Sequence, residues 1–173
     1  LLQQLDSREL VAAQISNTQL DADNLLQTVL TAFGVPAAGL SKAGMIASLE
    51  AFLTSVAAHG RRALLVIDEA QNLSPQALEE IRMLSNFQLG NHGLLQSFLV
   101  GQPELRQQLQ LPSMQQLQQR ILAAYHLGPL DEAETAAYVL HRLRHVGWSG
   151  QRPAITAEAF NRLHMRSGGI PRR

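Results

Sequence analysis

The chain has 173 residues, 46% of them hydrophobic, enough to bury the core of one domain with room for a small second unit. Lys and Arg total 14, as do Asp and Glu, so no global basic field points to nonspecific nucleic-acid binding. Cysteine is absent, which excludes disulfides and thiolate metal sites and fits a reducing compartment, and no apolar run reaches the roughly 18 residues that span a bilayer.

Leu1-Leu2-Gln3-Gln4-Leu5 has neither the Met nor the basic region of a signal peptide and reads as the last turns of a helix that begins earlier. The stop at Pro171-Arg172-Arg173 is equally abrupt, so both ends read as cut. Leu10 to Ser16 predicts a strand, closed by the polar cluster Ser16-Asn17-Thr18. Asp21 predicts the N-cap of a helix that carries Leu25, Leu26, Val29, Leu30 and Phe33 at helical spacing, stopped by Gly34 and Pro36. A second helix follows Ser41, with Met45, Ile46, Leu49, Phe52, Leu53 and Val56 on one face, and ends near His59-Gly60.

Ala63 to Ile67 is a continuous apolar run without alternation, the pattern of a strand covered on both faces in a parallel sheet. Ser74-Pro75 starts the next helix as N-cap and first residue, with Leu78, Ile81 and Leu84 inward and Glu79, Glu80 and Arg82 outward. Leu94 to Val100 predicts another strand, turned by Gly101-Gln102-Pro103 into a short helix that ends near Leu109. Pro112-Ser113 opens a helix to about Arg120, followed by a short strand from Leu122 to Leu127. Strands alternating with helices place the chain in the α/β class with a parallel sheet. After Gly128-Pro129-Leu130 the pattern becomes helical. Asp131 with Glu134 forms a capping-box start to a helix through Val146, and Thr156 starts another through Arg166.

The sharpest candidate site is Asp68-Glu69, two acids at the end of the apolar run Leu64-Leu65-Val66-Ile67, the form of a Walker B strand. A buried strand delivers its last side chains to the carboxyl edge of the sheet, where ligands bind in open α/β folds. There Asp68 can hold Mg²⁺, and Glu69 can orient and deprotonate an attacking water. Gln102 lies just past the next strand, where its amide can reach the same edge and bond a γ-phosphate or the lytic water; an N-cap role beside Pro103 is the competing reading.

Arg120 ends an uncharged stretch from Leu111 and suits a finger reaching a neighbouring subunit's nucleotide, against an ordinary surface arginine. Arg172 follows a Gly-Gly turn, with Pro171 placed to start a helix, and can fold back onto phosphates; a solvated arginine is the alternative. The chain's one lysine, Lys42, sits in Leu40-Ser41-Lys42-Ala43-Gly44, which is no phosphate-binding loop. His126, His141, His145 and His164 make no metal pattern, although His141 and His145 share a helix face. Trp148 reads as a packing residue.

Leu64 to Gln71, Leu99-Val100-Gly101-Gln102-Pro103-Glu104-Leu105, Gln119-Arg120-Ile121 and Ser167 to Arg172 occur in an order that resembles the AAA+ ATPases of the general secretion pathway A type. Relatives of that family serve pilus biogenesis and exosortase-linked polysaccharide export, and Ala77 to Gln88 looks closest to the exosortase-associated branch. The resemblance implies an AAA+ P-loop NTPase core over residues 1–130, lacking its P-loop and first strand, and a C-terminally truncated helical lid over 131–173.

It further implies ATP and Mg²⁺ as ligands, with Asp68 and Glu69 the Walker B acids, Gln102 sensor 1, Arg120 the arginine finger and Arg172 sensor 2. The family's Walker A, and the strand before it that lies between the strands at Leu94 and Leu122 in the sheet, are expected upstream of Leu1. The implied parent is a cytoplasmic homo-oligomer, associated through Arg120, that couples ATP hydrolysis to an envelope secretion or export machine and is tethered to the inner membrane through segments outside this chain. The rivals are an ATP-dependent DNA transposition or DNA-processing helper, against which the neutral charge weighs, and a catalytically dead AAA+ scaffold.

Overall fold

A computed structural model describes residues 8–16, 21–152 and 154–172. The expected helix end at Leu1–Leu5 and the Asn17-Thr18 cluster lie outside the described residues. The backbone divides into two compact units, Leu1–Leu122 and Ala123–Arg173.

In the first unit β1 (Leu10–Ile15), β2 (Arg62–Ile67) and β5 (Leu95–Leu99) form a parallel sheet in the order β1-β2-β5. Parallel neighbours need long crossovers. The crossover from β1 to β2 is α1 (Ala22–Ala32) and α2 (Lys42–Ala58), and the one from β2 to β5 contains α3 (Pro75–Leu84). Each of these helices begins where a side-chain oxygen captures a backbone N–H that the helix leaves unsatisfied. Asp21 accepts from Asn24, Ser41 from Gly44 and Ser74 from Ala77, with Pro75 as the first residue of α3. Each such cap stabilises its helix by about 1 kcal/mol.

The core is one cluster. Leu25, Leu26, Val29 and Leu30 from α1, Leu49 and Leu53 from α2, and Leu78 and Ile81 from α3 close over Ala13, Ile15, Ala63, Leu65 and Ile67. Full burial of each large aliphatic side chain contributes about 2 kcal/mol. The ring of Phe33, just past α1, meets that of Phe52 at 5.4 Å. Coverage of β2 differs from the expectation of two closed faces. The register sets Leu65 between Ala13 and Ser97 on the core face, and Val66 between Gln14 and Phe98 on the other. On that second face Val66 is half-buried and Phe98 is 60% exposed.

Two short strands, β3 (Gln88–Leu89) and β4 (His92–Gly93), form an antiparallel hairpin that the sequence reading did not contain. Gly90 turns it at a φ of 61°. Past β5 come α4 (Pro103–Leu109), a 3₁₀ turn (Pro112–Met114) and α5 (Gln115–Gln118). The expected strand from Leu122 to Leu127 does not form. A strand exists by pairing its backbone with a neighbouring edge, and this segment pairs with no strand among the described residues. Its apolar side chains are open to solvent, Leu122 fully so and Leu127 to 83%.

In the second unit α6 (Glu132–His145) packs on α7 (Ala157–Ser167). The capping box at α6 is complete: Asp131 accepts from the Glu134 N–H, and Glu134 accepts from the Asp131 N–H. Thr135, the buried polar residue between the helices, donates its hydroxyl proton to the Asp131 carbonyl at 2.7 Å and so accepts from His164 Nδ1 at 3.0 Å. Leu130 N–H donates to the Gly169 carbonyl at 2.9 Å. A Cβ at position 169, where φ is 74°, would stand 2.1 Å from the Leu130 carbonyl oxygen, so only glycine fits. Among the described residues no helix is long and apolar enough to cross a membrane.

Candidate functional site

The carboxyl edge of the parallel sheet is where the chain leaves regular geometry. Val100 N–H donates to the Ile67 carbonyl at 2.9 Å, continuing the ladder between β2 and β5. The next bond across runs from Ala70 N–H to the Val100 carbonyl, also 2.9 Å. Asp68 and Glu69 are therefore pushed out as a two-residue excursion. Asp68 holds it on one side through its N–H to the Ile15 carbonyl at 2.9 Å, and its Oδ1 accepts from the Glu69 N–H at 2.9 Å.

Glu69 adopts a left-handed conformation, φ 54° and ψ 38°, and is the one non-glycine residue with positive φ among those described. That geometry costs about 1–2 kcal/mol for a residue with a Cβ. Strain of this kind gathers at functional sites. Its local effect is to turn the Glu69 side chain away from the strand direction and toward the loop that follows β5.

The partner on that loop is Gln102, whose Nε2 donates to Glu69 Oε2 at 3.3 Å. Gln102 does occupy the N-cap position of α4, but its side chain makes no capping bond there. The amide is thus committed to the acid, and the N-cap reading accounts for the backbone alone. A third residue joins them. Gln71, in the 3₁₀ turn Ala70–Asn72, donates from Nε2 to Glu69 Oε2 at 2.6 Å and accepts the Gln102 N–H on Oε1 at 3.1 Å. Gln71 stood in the sequence only as the last letter of a motif; its partner lies 31 residues on, so no local spacing could mark it.

Asp68 is half-buried and Glu69 exposed, so neither residue is sealed from solvent. Mg²⁺ in phosphate sites is commonly held by one or two carboxylates, water and phosphate oxygens rather than by a protein cage. A single aspartate at a strand end fits that requirement, and no cluster of three or more His, Cys, Asp or Glu suited to a metal occurs among the described residues.

Arg120 is exposed two residues past α5, its N–H bonded to the Leu117 carbonyl at 3.0 Å, and no strand follows it among the described residues. Arg172 belongs to the second unit, and Pro171-Arg172 form a turn instead of the expected helix start. The rings of His141 and His145 stack at 6.1 Å.

Comparison with known proteins identifies the family and the fold. The family model described as "AAA domain" matches residues 1–109. The General secretion pathway protein A of Aeromonas hydrophila is 41% identical over 175 residues, 99% of this chain but 31% of that protein's length. Two solved structures of the ORC2 protein of Aeropyrum pernix share the fold. The ADP form superposes with a TM-score of 0.59 at 14% identity, over 79% of this chain and 37% of that one. The ADPNP–ADP complexes give 0.57 at 15%, over 80% and 37%. With an α/β parallel sheet, two acids at its carboxyl edge and a family match over more than half its length, the chain belongs to the AAA domain family.

Proposed function

We propose that this chain is part of an AAA+ ATPase that couples ATP binding and hydrolysis to the assembly or operation of a secretion or export machine in the bacterial envelope. The observation that carries the catalytic half is the contact of Glu69 with the Gln102 amide at 3.3 Å, beside Asp68 at the carboxyl edge of a parallel sheet. The likeness to General secretion pathway protein A supports the secretion half. The stretch Ala77 to Gln88 points within it to the exosortase-associated export branch.

In this reading Glu69 takes the proton of the attacking water, and Gln102 hydrogen-bonds that water or the γ-phosphate. Asp68 holds Mg²⁺ directly or through water. Held there, Mg²⁺ would supply positive charge to the reaction. Arg120 reaches a neighbouring subunit's site and Arg172 returns to the phosphates from the lid, residues 131–173, while residues 1–130 form the core. The phosphate cradle lies outside these residues, and the whole protein works on the cytoplasmic side, tethered to the inner membrane through other segments.

The test is Glu69→Gln in the full-length protein. ATP binding stays close to wild type and turnover falls by roughly 10²-fold or more, the scale of losing a general base. Unchanged turnover would leave Glu69 as no more than a solvated acid at a strand end.

A further inference from the structure

Both ends of the Gln71 amide are spent, each on a different functional residue. We infer that Gln71 is a positioning residue, one that ties the acid Glu69 to the loop bearing Gln102 so that the two act as a unit during ATP hydrolysis. The inference rests on the assignment of Glu69 and Gln102 just given and adds to it a residue that touches neither substrate nor metal.

The chemistry of the linkage is specific. A carboxylate only accepts hydrogen bonds and a backbone N–H only donates, so a bridge between them needs a donor at one end and an acceptor at the other. A primary amide is uncharged and offers both, on two separate atoms of one plane. Gln71 meets the requirement with Nε2 at 2.6 Å from Glu69 Oε2 and Oε1 at 3.1 Å from the Gln102 nitrogen. The Gln102 side chain then closes the triangle on the same Oε2 at 3.3 Å. Glutamate at 71 would set two carboxylates together, and leucine would leave the Gln102 N–H without its bond.

The opposite wall is shaped to admit the amide. Gly101 has no side chain where one would collide: a Cβ there would stand 2.7 Å from Gln71 Oε1 and 3.1 Å from Leu105 Cδ2. Gly101 has no positive φ, so its backbone does not require glycine; the space does. Gly101 therefore leaves the room that the Gln71 amide occupies. The strained turn at Glu69 completes the device, because a left-handed residue persists where surrounding contacts over-determine it, and the bond from Gln71 is one of those contacts.

Gln71→Ala, Gly101→Ala and the double variant, made in the full-length protein, test this. Gln71→Ala lowers kcat for ATP roughly tenfold, the scale of a small misplacement of a catalytic group, with KM within about twofold and the thermal midpoint nearly unchanged. Gly101→Ala gives a similar loss by displacing Oε1, and adds nothing in the Gln71→Ala background, as expected of groups that act as one. A second readout needs no turnover. In the nucleotide-free 173-residue chain labelled with ¹⁵N, the side-chain amide resonances of Gln71 move on Glu69→Gln and on Gly101→Ala.

Wild-type kcat in Gln71→Ala, losses that add in the double variant, a loss that tracks the thermal midpoint, or amide resonances indifferent to residue 69 would each overturn the linkage. The two levels separate cleanly. If Glu69→Gln cripples turnover while Gln71→Ala does not, the linkage alone is wrong. If Glu69→Gln turns over normally, the assignment of the site falls and the linkage with it.

Discussion

The ammonium of Lys42 rests on the carboxylate of Glu80, joining the first residue of α2 to α3. The chain's one lysine is thus engaged between two helices rather than presented to a phosphate. Purified residues 1–173 are expected to show negligible Mg-ATP turnover and weak nucleotide binding. Robust hydrolysis by this chain would overturn the placement of the phosphate cradle outside it. Lys42→Ala in the full-length protein should leave turnover unchanged and, as the pair is surface-exposed, cost no more than about 1 kcal/mol in urea unfolding.

Arg120 gives a test of association as well as chemistry. A finger supplied by a neighbour stabilises charge on that neighbour's γ-phosphoryl group and matters only when subunits associate. Arg120→Ala should lower turnover without weakening ATP binding to an isolated subunit. Mixing it with Asp68→Ala subunits, which keep the arginine, should restore part of the activity at mixed interfaces. Mixed oligomers without recovery would remove the finger assignment.

On α3, Arg82 grips Glu79 with Nε at 2.8 and 2.9 Å from its two oxygens and Nη2 at 2.6 Å. These hydrogen bonds hold Glu79 below the usual carboxylate range, partial burial opposes them, and the guanidinium charge adds to them. A carboxylate depressed in the folded state adds stability above its unfolded pKa of ~4.3, which is lost as pH falls through the folded value. Wild type should therefore exceed Glu79→Gln in denaturant midpoint by a constant margin from neutral pH to about pH 5, and the margin should shrink as the pH drops further. A margin that stays flat into strong acid would show that the ion pair contributes nothing.

Ser97 sits in the middle of β5 with its Oγ buried and unpartnered. A buried hydroxyl without a bond carries its desolvation cost uncompensated. Ser97→Ala is expected to raise stability by about 1 kcal/mol, measured by urea unfolding. A loss of stability of that size would mean the hydroxyl is satisfied in solution.

What the sequence disclosed followed the range of the forces involved. The starts of α1, α2 and α3 were legible because Asp21, Ser41 and Ser74 each bond a residue three positions on. The run Ala63 to Ile67 was legible as a strand because it is short, apolar and continuous, although its second face is less covered than that pattern suggests. The strand expected at Leu122 to Leu127 failed because its apolar letters describe a surface, while a strand also needs an edge to pair with. The hairpin of β3 and β4 escaped notice, since two residues per strand are too few to show a period. At the site, Asp68, Glu69 and Gln102 could be named from their places at strand ends. The left-handed turn of Glu69 and the role of Gln71 could not, because both depend on segments that meet only after folding.

The hydrogen bond from Leu130 to Gly169 closes a ring in the second unit. Everything between, both helices and the loop joining them, is bounded by that one backbone contact, and Arg172 hangs three residues beyond the clasp. That contact fixes where the backbone leading to Arg172 departs from the helix pair. Substitutions on the outer faces of α6 and α7, such as at Arg162, should leave its position alone. Adding or removing one residue between Gly169 and Arg172 would carry the guanidinium elsewhere while the helix pair stayed whole.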